Sequence, residues 1–259
     1  MAEQATAPSG WWQGFNQKFV VEERYMEPAD RAGLYRTSVV LAASGAVLFF
    51  VALSSVLLNG GLAAVDEPLR NWLLDTRSDA TTGMMRFLAV LFGPIALPII
   101  VLVVNVVWGF TARHAWRPIL LAAGMLTGVA VSQIVLHLVD RSRPPIDLML
   151  FGIDHTYSFP SGHVLGACDF LLIGAYLIAS RSRNRKVSVT CFAVAVVGII
   201  LAAISRLYLG YHWFTDAFAS VSLALVILGG IMALDTWRTA RIPGEPITGG
   251  LSTAETPSS

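Results

Sequence analysis

Six long apolar segments, separated by shorter polar stretches, dominate the pattern of hydrophobic and polar positions along the chain. Each has roughly 17 to 25 residues, the length that a helix needs to cross a bilayer. The segments lie near residues 38–58, 87–110, 118–139, 163–180, 188–204 and 214–235. The second contains Gly93, Pro94 and Pro98, and a proline in a helix predicts a kink or a late start. The pattern therefore predicts an all-α fold, a bundle of six transmembrane helices.

The ends of the chain are polar and divide the sequence into three predicted parts. Residues 1–37 form an N-terminal tail, residues 38–235 form the helical bundle, and residues 236–259 form a C-terminal tail. The outermost residues are rich in Ala, Gly, Pro, Ser and Thr, which predicts disorder, including a disordered C-terminal tail. The stretch WWQGFNQKF, residues 11–19, places its aromatic residues on one side of a helix. That arrangement predicts an interfacial membrane anchor, with a contact to a soluble partner as the alternative.

Composition supports a membrane protein and predicts how it is oriented. The chain is 55% hydrophobic and 14% charged, whereas about a quarter of the residues in a soluble domain are charged. The net charge of +1 favours no nucleic-acid partner, and the sequence leaves the oligomeric state open. Twelve of the 18 Lys and Arg residues lie on the side of the two termini and six on the other. By the positive-inside rule we expect cytoplasmic termini in the cell (inner) membrane, and outward-facing loops on the other side.

Three polar segments lie at the outward ends of the predicted spans. They are DRSRPP at 140–145, SFPSGHVLG at 158–166 and SRLYLGYHWFTD at 205–216. Their candidate site residues are Arg143, Ser161, Gly162, His163, Arg206, His212 and Asp216. The start of a helix offers free backbone N–H groups and the positive end of a dipole to an anion, and two arginines add charge. We expect a phosphate site between helix ends on the outer membrane face.

The histidines in these segments have the spacing and neighbours of a phosphoryl-transfer site. His212 and Asp216 are four residues apart and share a helical face. The carboxylate can hold one ring nitrogen as N–H, which leaves the other free to attack phosphorus, and His163 can protonate the leaving oxygen. Phosphoryl transfer otherwise requires positioning and charge neutralisation. Because the sequence has no Asp/Glu cluster suited to Mg²⁺, we expect a metal-independent reaction without a cofactor.

The order RP, PSGH and SR-x5-H-x3-D, over residues 143–216, resembles the signature of the type-2 phosphatidic acid phosphatase superfamily, which includes vanadium haloperoxidases. The six-span layout extends the resemblance to residues 38–235. It implies a membrane-embedded hydrolase of a lipid phosphate or diphosphate, acting through a phosphohistidine. Phosphatidic acid, phosphatidylglycerol phosphate and polyprenyl diphosphate are the implied substrates. The implied roles are nucleophile for His212, acid for His163, orienting group for Asp216, and phosphate binding for Arg143, Ser161, Gly162 and Arg206.

One position departs from the family pattern. The family has a lysine seven residues before the arginine of RP, where this chain has Leu136. Arg141 is a possible substitute for the missing charge. Two alternatives to a hydrolase remain. One is a phosphotransferase of the same fold with an alcohol acceptor. The other, suggested by the missing lysine, is a non-catalytic membrane protein that binds lipid headgroups. The intact His212 and Asp216 favour an enzyme, since a binding site needs no oriented nucleophile.

Two ionisable residues inside the spans belong to none of the three motifs. His137 precedes Arg143 by six residues, and Asp169 follows His163 by six, so both are predicted roughly 9 Å below the site. Ionisable residues in spans are uncommon and tend to be paired or functional. We predict that His137 and Asp169 pair beneath the pocket. The alternative is that His137 supplies the charge of the missing lysine.

Overall fold

The predicted bundle of transmembrane helices is present in the computed structural model, which describes residues 19–182 and 184–251. The α-helices of this part are α1 (Pro28–Leu57), α2 (Asp66–Asp75), α3 (Asp79–Leu91), α4 (Ala96–Thr111), α5 (Trp116–Val139), α6 (Gly162–Ala179), α7 (Arg185–Tyr208) and α8 (Phe214–Thr239). The strands are β1 (Glu22–Tyr25), β2 (Ala240–Arg241) and β3 (Gly250–Leu251). Most of the predicted interfacial helix, residues 11–18, lies outside the described residues.

Five helices, α1, α5, α6, α7 and α8, are long and apolar enough to cross a membrane. The sixth span is α3 and α4 taken together, which are bent by 50° at a short break. Gly93 and Pro94 lie in this break, so the kink predicted from the sequence is confirmed. Proline has no N–H to donate and disfavours helical geometry in the residue before it, which explains why the helix ends here. The chain is a multi-pass membrane protein.

Helices α6 and α8 form the centre of the bundle, and their starting residues lie side by side. Both have a largely buried surface, whereas α4 and α7 expose most of their apolar side chains. The hydroxyl of Ser220 donates to the carbonyl oxygens of Ser161, at 3.0 Å, and of Asp216, at 2.8 Å. The first turns of α6 and α8 are therefore fixed against each other, although they belong to different sequence motifs.

A small sheet lies at the opposite end of the bundle, where the last turn of α8 meets the segment before α1. Strand β1 pairs in parallel with β2 on one side and β3 on the other. The carboxylate of Glu23 is buried and accepts hydrogen bonds from Arg241, at 2.9 Å, and from the Thr248 hydroxyl, at 2.7 Å. The two described ends of the chain thus meet at this sheet.

The sheet corrects the prediction of a disordered tail from residue 236. Helix α8 continues to Thr239, and the following residues are ordered as far as β3. Backbone pairing with β1 and the buried Glu23 hold this segment, and both contacts come from residues more than two hundred positions earlier in the chain. Composition alone therefore gave no sign of them. Residues 252–259 lie outside the described part.

Candidate active site

The seven candidate residues come from the three polar segments, which meet at one end of the bundle. Arg143 lies between α5 and α6, Ser161 to His163 open α6, Arg206 is in the last turn of α7, and Asp216 is in the first turn of α8. His212 lies in the short loop between α7 and α8, where Gly210 has a φ of +83°. The charges of Arg206 and Arg143 act on both His212 and His163. The structure therefore brings the predicted site together.

The ring of His212 is held with one nitrogen as a donor and the other as an acceptor. Nδ1 lies 2.9 Å from the carbonyl oxygen of Ser158 and 3.4 Å from Oδ2 of Asp216. Nε2 lies 3.1 Å from Nη1 of Arg143, which can only donate, so Nε2 carries the lone pair. Burial, followed by the positive charges of Arg206 and Arg143, lowers the pKa of His212 well below its ordinary value. The imidazole is therefore neutral with an available lone pair on Nε2, and the Ser158 carbonyl is a partner that no sequence motif indicated.

The carboxylate of Asp216 is held by the backbone of Trp213, the residue before α8, and by Arg141. Its Oδ2 accepts a hydrogen bond from the backbone N–H of Trp213 at 2.9 Å, and its Oδ1 accepts one from Arg141 at 2.6 Å. Arg141 also forms an ion pair with Asp66 at 2.7 Å, and Asp66 in turn accepts from the backbone and hydroxyl of Thr215. Since Arg141 is bound between two carboxylates, it does not replace the missing lysine. It fixes Asp216 instead.

Arg143 has an acceptor for each of its five N–H groups. Nε donates to the carbonyl oxygen of Thr156 at 2.9 Å, and Nη1 to the carbonyl oxygen of Tyr211 at 2.8 Å and to His212. Nη2 donates to the hydroxyl of Thr156 at 2.8 Å and to the carboxylate of Asp154 at 3.0 Å. Burial raises the pKa of Asp154, but hydrogen bonds from Thr156 and the charge of Arg143 outweigh it, and the pKa lies below its ordinary value. Thr156 and Asp154 therefore belong to the site, and the sequence analysis did not identify either residue.

The start of α6 has the unpaired donors expected of an anion site. Ser161 precedes the first turn of α6, but its side chain does not cap the helix, so N–H groups of that turn remain available. The hydroxyl of Ser161 and the Nε of Arg206 are buried and have no hydrogen-bond partner in the described part. The guanidinium of Arg206 stacks on the ring of Tyr211 at 4.3 Å, which fixes its direction. Buried donors of this kind are normally satisfied, and a phosphate oxygen would satisfy these.

The carboxylates near the site are bound to arginines. Asp66 and Asp216 both contact Arg141, and Asp154 contacts Arg143. Within the described ranges, no group of three or more His, Cys, Asp or Glu side chains could hold a metal ion.

The predicted pair of His137 and Asp169 is not formed, so this prediction is wrong. His137 is exposed on α5, and its Nδ1 lies 2.8 Å from the carbonyl oxygen of Gln133. Asp169 is buried in α6, and neither of its carboxylate oxygens has a partner in the part of the chain described. Asp169 packs against Gly128, which precedes His137 by nine residues on α5, so the two predicted partners lie about 13 Å apart along the bundle. That His137 supplies the missing lysine's charge stays a prediction.

Comparison with known proteins assigns the fold and the site to a family. A family model described as the PAP2 superfamily matches residues 117–240, which run from the start of α5 to the end of α8 and contain all seven candidate residues. The segment from residue 117 to residue 240 belongs to the PAP2 superfamily. Phosphatidylglycerophosphatase B of Bacillus subtilis (strain 168) is 26% identical over 193 residues, which cover 73% of this chain and 92% of that protein.

Two further matches support membership of the PAP2 superfamily. Phosphatidylglycerophosphatase B of Escherichia coli (strain K12) is 33% identical over 93 residues, which cover 36% of this chain and 32% of that protein. The crystal structure of the transmembrane PAP2-type phosphatidylglycerolphosphate phosphatase from Bacillus subtilis superposes with a TM-score of 0.66 and 22% identity. The superposition covers 74% of this chain and 96% of the Bacillus subtilis chain, so the two proteins share the PAP2 membrane fold.

Proposed function

We propose that this membrane lipid phosphatase of the PAP2 superfamily hydrolyses a lipid phosphate monoester through a phosphohistidine on His212. Phosphatidylglycerol phosphate is the first candidate substrate, because the curated relatives are named phosphatidylglycerophosphatase B. The observation that carries the proposal is the geometry of His212. Its Nδ1 is held by Ser158 and Asp216, and its Nε2 faces Arg143. A phosphate oxygen that displaces Nε2 or Asp154 from this guanidinium therefore lies beside the attacking nitrogen.

In the first step, the lone pair on Nε2 of His212 attacks phosphorus. A P–N bond forms while the bond from phosphorus to the lipid oxygen breaks, and His163 gives its proton to that leaving oxygen. Arg143, Arg206 and the N–H groups at the start of α6 neutralise the charge on the equatorial oxygens. Asp216 and the Ser158 carbonyl stabilise the positive charge that develops on the ring.

In the second step, water attacks the phosphorus of the phosphohistidine. His163, now without its proton, takes a proton from the water, and the P–N bond breaks with its electron pair returning to His212. Inorganic phosphate leaves, and both histidines regain their starting protonation states. The same donors hold the phosphoryl oxygens in both steps.

Trapping of the intermediate tests this mechanism. Phosphatidylglycerol phosphate labelled with radioactive phosphorus in the terminal phosphate is mixed with the protein in detergent and quenched in base, where phosphohistidine is stable. We expect label on the wild type and on His114→Ala, a control histidine in the loop between α4 and α5 at the other end of the bundle, and none on His212→Ala. Label that persists on His212→Ala would contradict the proposal, as would a strict requirement for a divalent cation.

The phosphotransferase alternative differs in what accepts the phosphoryl group from His212. The test is to add a short-chain alcohol to the reaction and to follow both products. Release of inorganic phosphate as the main product supports the hydrolase, and transfer of most of the label to the alcohol would overturn it.

We propose further that the protein lies in the cell (inner) membrane with both termini in the cytoplasm and the active site outside. The catalytic unit is the bundle of residues 38–235, preceded by the tail of residues 1–37. The twelve-to-six distribution of Lys and Arg supports this orientation. A reporter that works only in the cytoplasm should be active when it is fused after Ser259. Activity of a reporter that works only in the periplasm, fused at the same position, would contradict this orientation.

A further inference from the structure

A cavity of about 350 Å³ lies next to the start of α6, between α5, α6 and the break that separates α3 from α4. Its walls are mostly apolar and include Pro94 and Leu97 beside the break and Val129 on α5. His163, the proposed acid, lines the end of the cavity that adjoins the reaction centre. The cavity follows α6 from its first turn as far as Asp169, so it extends from the active site into the membrane-embedded part of the bundle.

Two buried polar side chains line this cavity from facing helices, and neither is used by the mechanism. Ser132 on α5 is 4% exposed and Asp169 on α6 is 1% exposed. The Ser132 hydroxyl and both Asp169 carboxylate oxygens have no hydrogen-bond partner within the described residues. A polar group buried without a partner is unfavourable, and ionisable groups inside membrane spans are usually functional. The pair therefore offers hydrogen bonds to a polar group that enters the cavity.

The two side chains lie at different depths below the phosphate site. The Ser132 hydroxyl is 3.8 Å from the position that a Cβ on Gly162 would occupy, so it is level with the first residue of α6. The carboxylate of Asp169 packs against Gly128, where a Cβ would collide with Oδ2. Since Gly128 and Ser132 are four residues apart on α5, the two polar groups differ in depth by about 6 Å. This interval follows the phosphate directly, where the linker of a bound lipid would lie.

Charge along the cavity sets the direction in which a headgroup would bind. The mouth of the cavity is the end that His163 lines. The charges of Arg143 and Arg206 act on His163, and together with the start of α6 they attract phosphate to this end. The carboxyl group of Asp169 lies at the deep end, where it disfavours an anion and favours a hydrogen-bond donor. A lipid that fits this arrangement has its phosphate at the mouth and a hydroxyl group below it.

We propose that Ser132 and Asp169 bind a free hydroxyl group on the linker that joins the scissile phosphate to the rest of the lipid. The inference rests on the proposed phosphatase function and makes the enzyme selective for lipid phosphates with a glycerol-type hydroxyl beside the phosphate. A lipid without this hydroxyl leaves both buried groups unpaired, and sites built to bind a hydroxyl discriminate strongly against analogues that lack it. Diacyl phosphatidic acid and polyprenyl phosphates then become the poorer substrates.

A pair of lipids that differ in one hydroxyl group tests the proposal. The substrates are 1-oleoylglycerol 3-phosphate and its 2-deoxy analogue, presented in mixed micelles to the full-length protein. We expect the wild type to have a kcat/KM at least about tenfold higher for the hydroxylated lipid. Ser132→Ala and Asp169→Asn should each bring this ratio towards one. The control is Asp235→Asn, a buried aspartate at the opposite end of the bundle that is bonded to Trp116 and Tyr176, and its ratio should equal that of the wild type.

Two outcomes overturn the proposal. A wild-type ratio near one means that the cavity does not recognise the hydroxyl, although the phosphatase function stands. Equal losses on both lipids in the two variants would assign Ser132 and Asp169 a structural role only. If Asp169→Asn does not fold, Ser132→Ala decides alone. Release of phosphate from neither lipid, nor from phosphatidylglycerol phosphate, would overturn the phosphatase function itself.

Discussion

Arg141 lies between two buried carboxylates, and its replacement should affect both stability and catalysis. Its guanidinium is 2.6 Å from Asp216 and 2.7 Å from Asp66, and its side chain is 15% exposed while those of the partners are at most 4% exposed. Arg141→Met keeps much of the apolar stem and removes the charge. The substitution leaves two carboxylates buried without their cation, one of which holds the nucleophile.

The size of the effect follows from the burial of the pair. Removal of one partner from a buried ion pair costs about 3–5 kcal/mol, because the remaining charge is uncompensated. For a chain of this length each kcal/mol lowers the melting temperature by about 2–4 °C, so we expect a decrease on the order of 10 °C in detergent. We also expect kcat to fall more than KM rises, since Asp216 loses a fixed position while Arg143 and the start of α6 still bind phosphate.

The assay is thermal unfolding in detergent together with steady-state phosphate release. Arg70→Met is the matched control, because Arg70 and Arg141 both stack on the Trp213 ring, at 5.3 and 5.6 Å. Arg70 hydrogen-bonds to the neighbouring Asn71 and not to a buried carboxylate. The double variant Arg141→Met with Asp66→Asn removes one of the stranded charges and should regain part of the lost stability. A decrease below about 2 °C for Arg141→Met, or a double variant no more stable than the single one, would refute the argument.

The remaining predictions concern the nucleophile and its neighbours. His212→Ala should abolish turnover. Asp216→Asn should lower kcat only about 10²-fold, because the Ser158 carbonyl still accepts from Nδ1 of His212. A loss near 10⁴-fold would show that Asp216 alone sets the tautomer of His212. Asp154→Asn removes the negative charge that competes with phosphate for Arg143 and should lower the inhibition constant of inorganic phosphate about tenfold. A higher constant would mean that Asp154 only positions Arg143. Because the pKa of His212 is lowered, the acid limb of kcat/KM should lie below about pH 6.5. The free energy of unfolding should also fall as pH drops below that value, since the unfolded chain then binds a proton at His212 that the folded chain does not. An acid limb at or above pH 6.5 would contradict the neutral, buried imidazole.

The candidate site could be predicted from the sequence because its parts lie at helix ends. Each motif places polar residues at the end of an apolar segment. The C-terminal end of one span and the N-terminal end of the next lie on the same membrane face. His212 and Asp216 could be placed together because they are four residues apart. The break at Gly93 and Pro94 could be predicted because proline acts locally on the backbone.

The supports of the site could not be predicted, because they depend on packing between distant segments. Asp66 lies 75 residues before Arg141 and outside the segment that matches the family model, so no spacing connects them. The separation of His137 from Asp169 depends on how far α5 is shifted along α6, which counting residues from each motif does not determine. The order of residues 240–251 depends on pairing with β1, at the other end of the chain.

The leucine at position 136 changes the charge balance of the site, and the structure indicates in which direction. Arg141 is neutralised by its two carboxylate partners, so the cations that act on His212 are Arg206 and Arg143. Arg143 is itself paired with Asp154, so Arg206 and about half a charge from the start of α6 leave roughly +1.5 in the site, which balances the charge of about −1.5 to −2 on a phosphate monoester. A diphosphate carries more negative charge, which would have to be desolvated in the same site without the family's lysine. The departure at Leu136 therefore favours a monoester over a polyprenyl diphosphate among the substrates that the family resemblance implies.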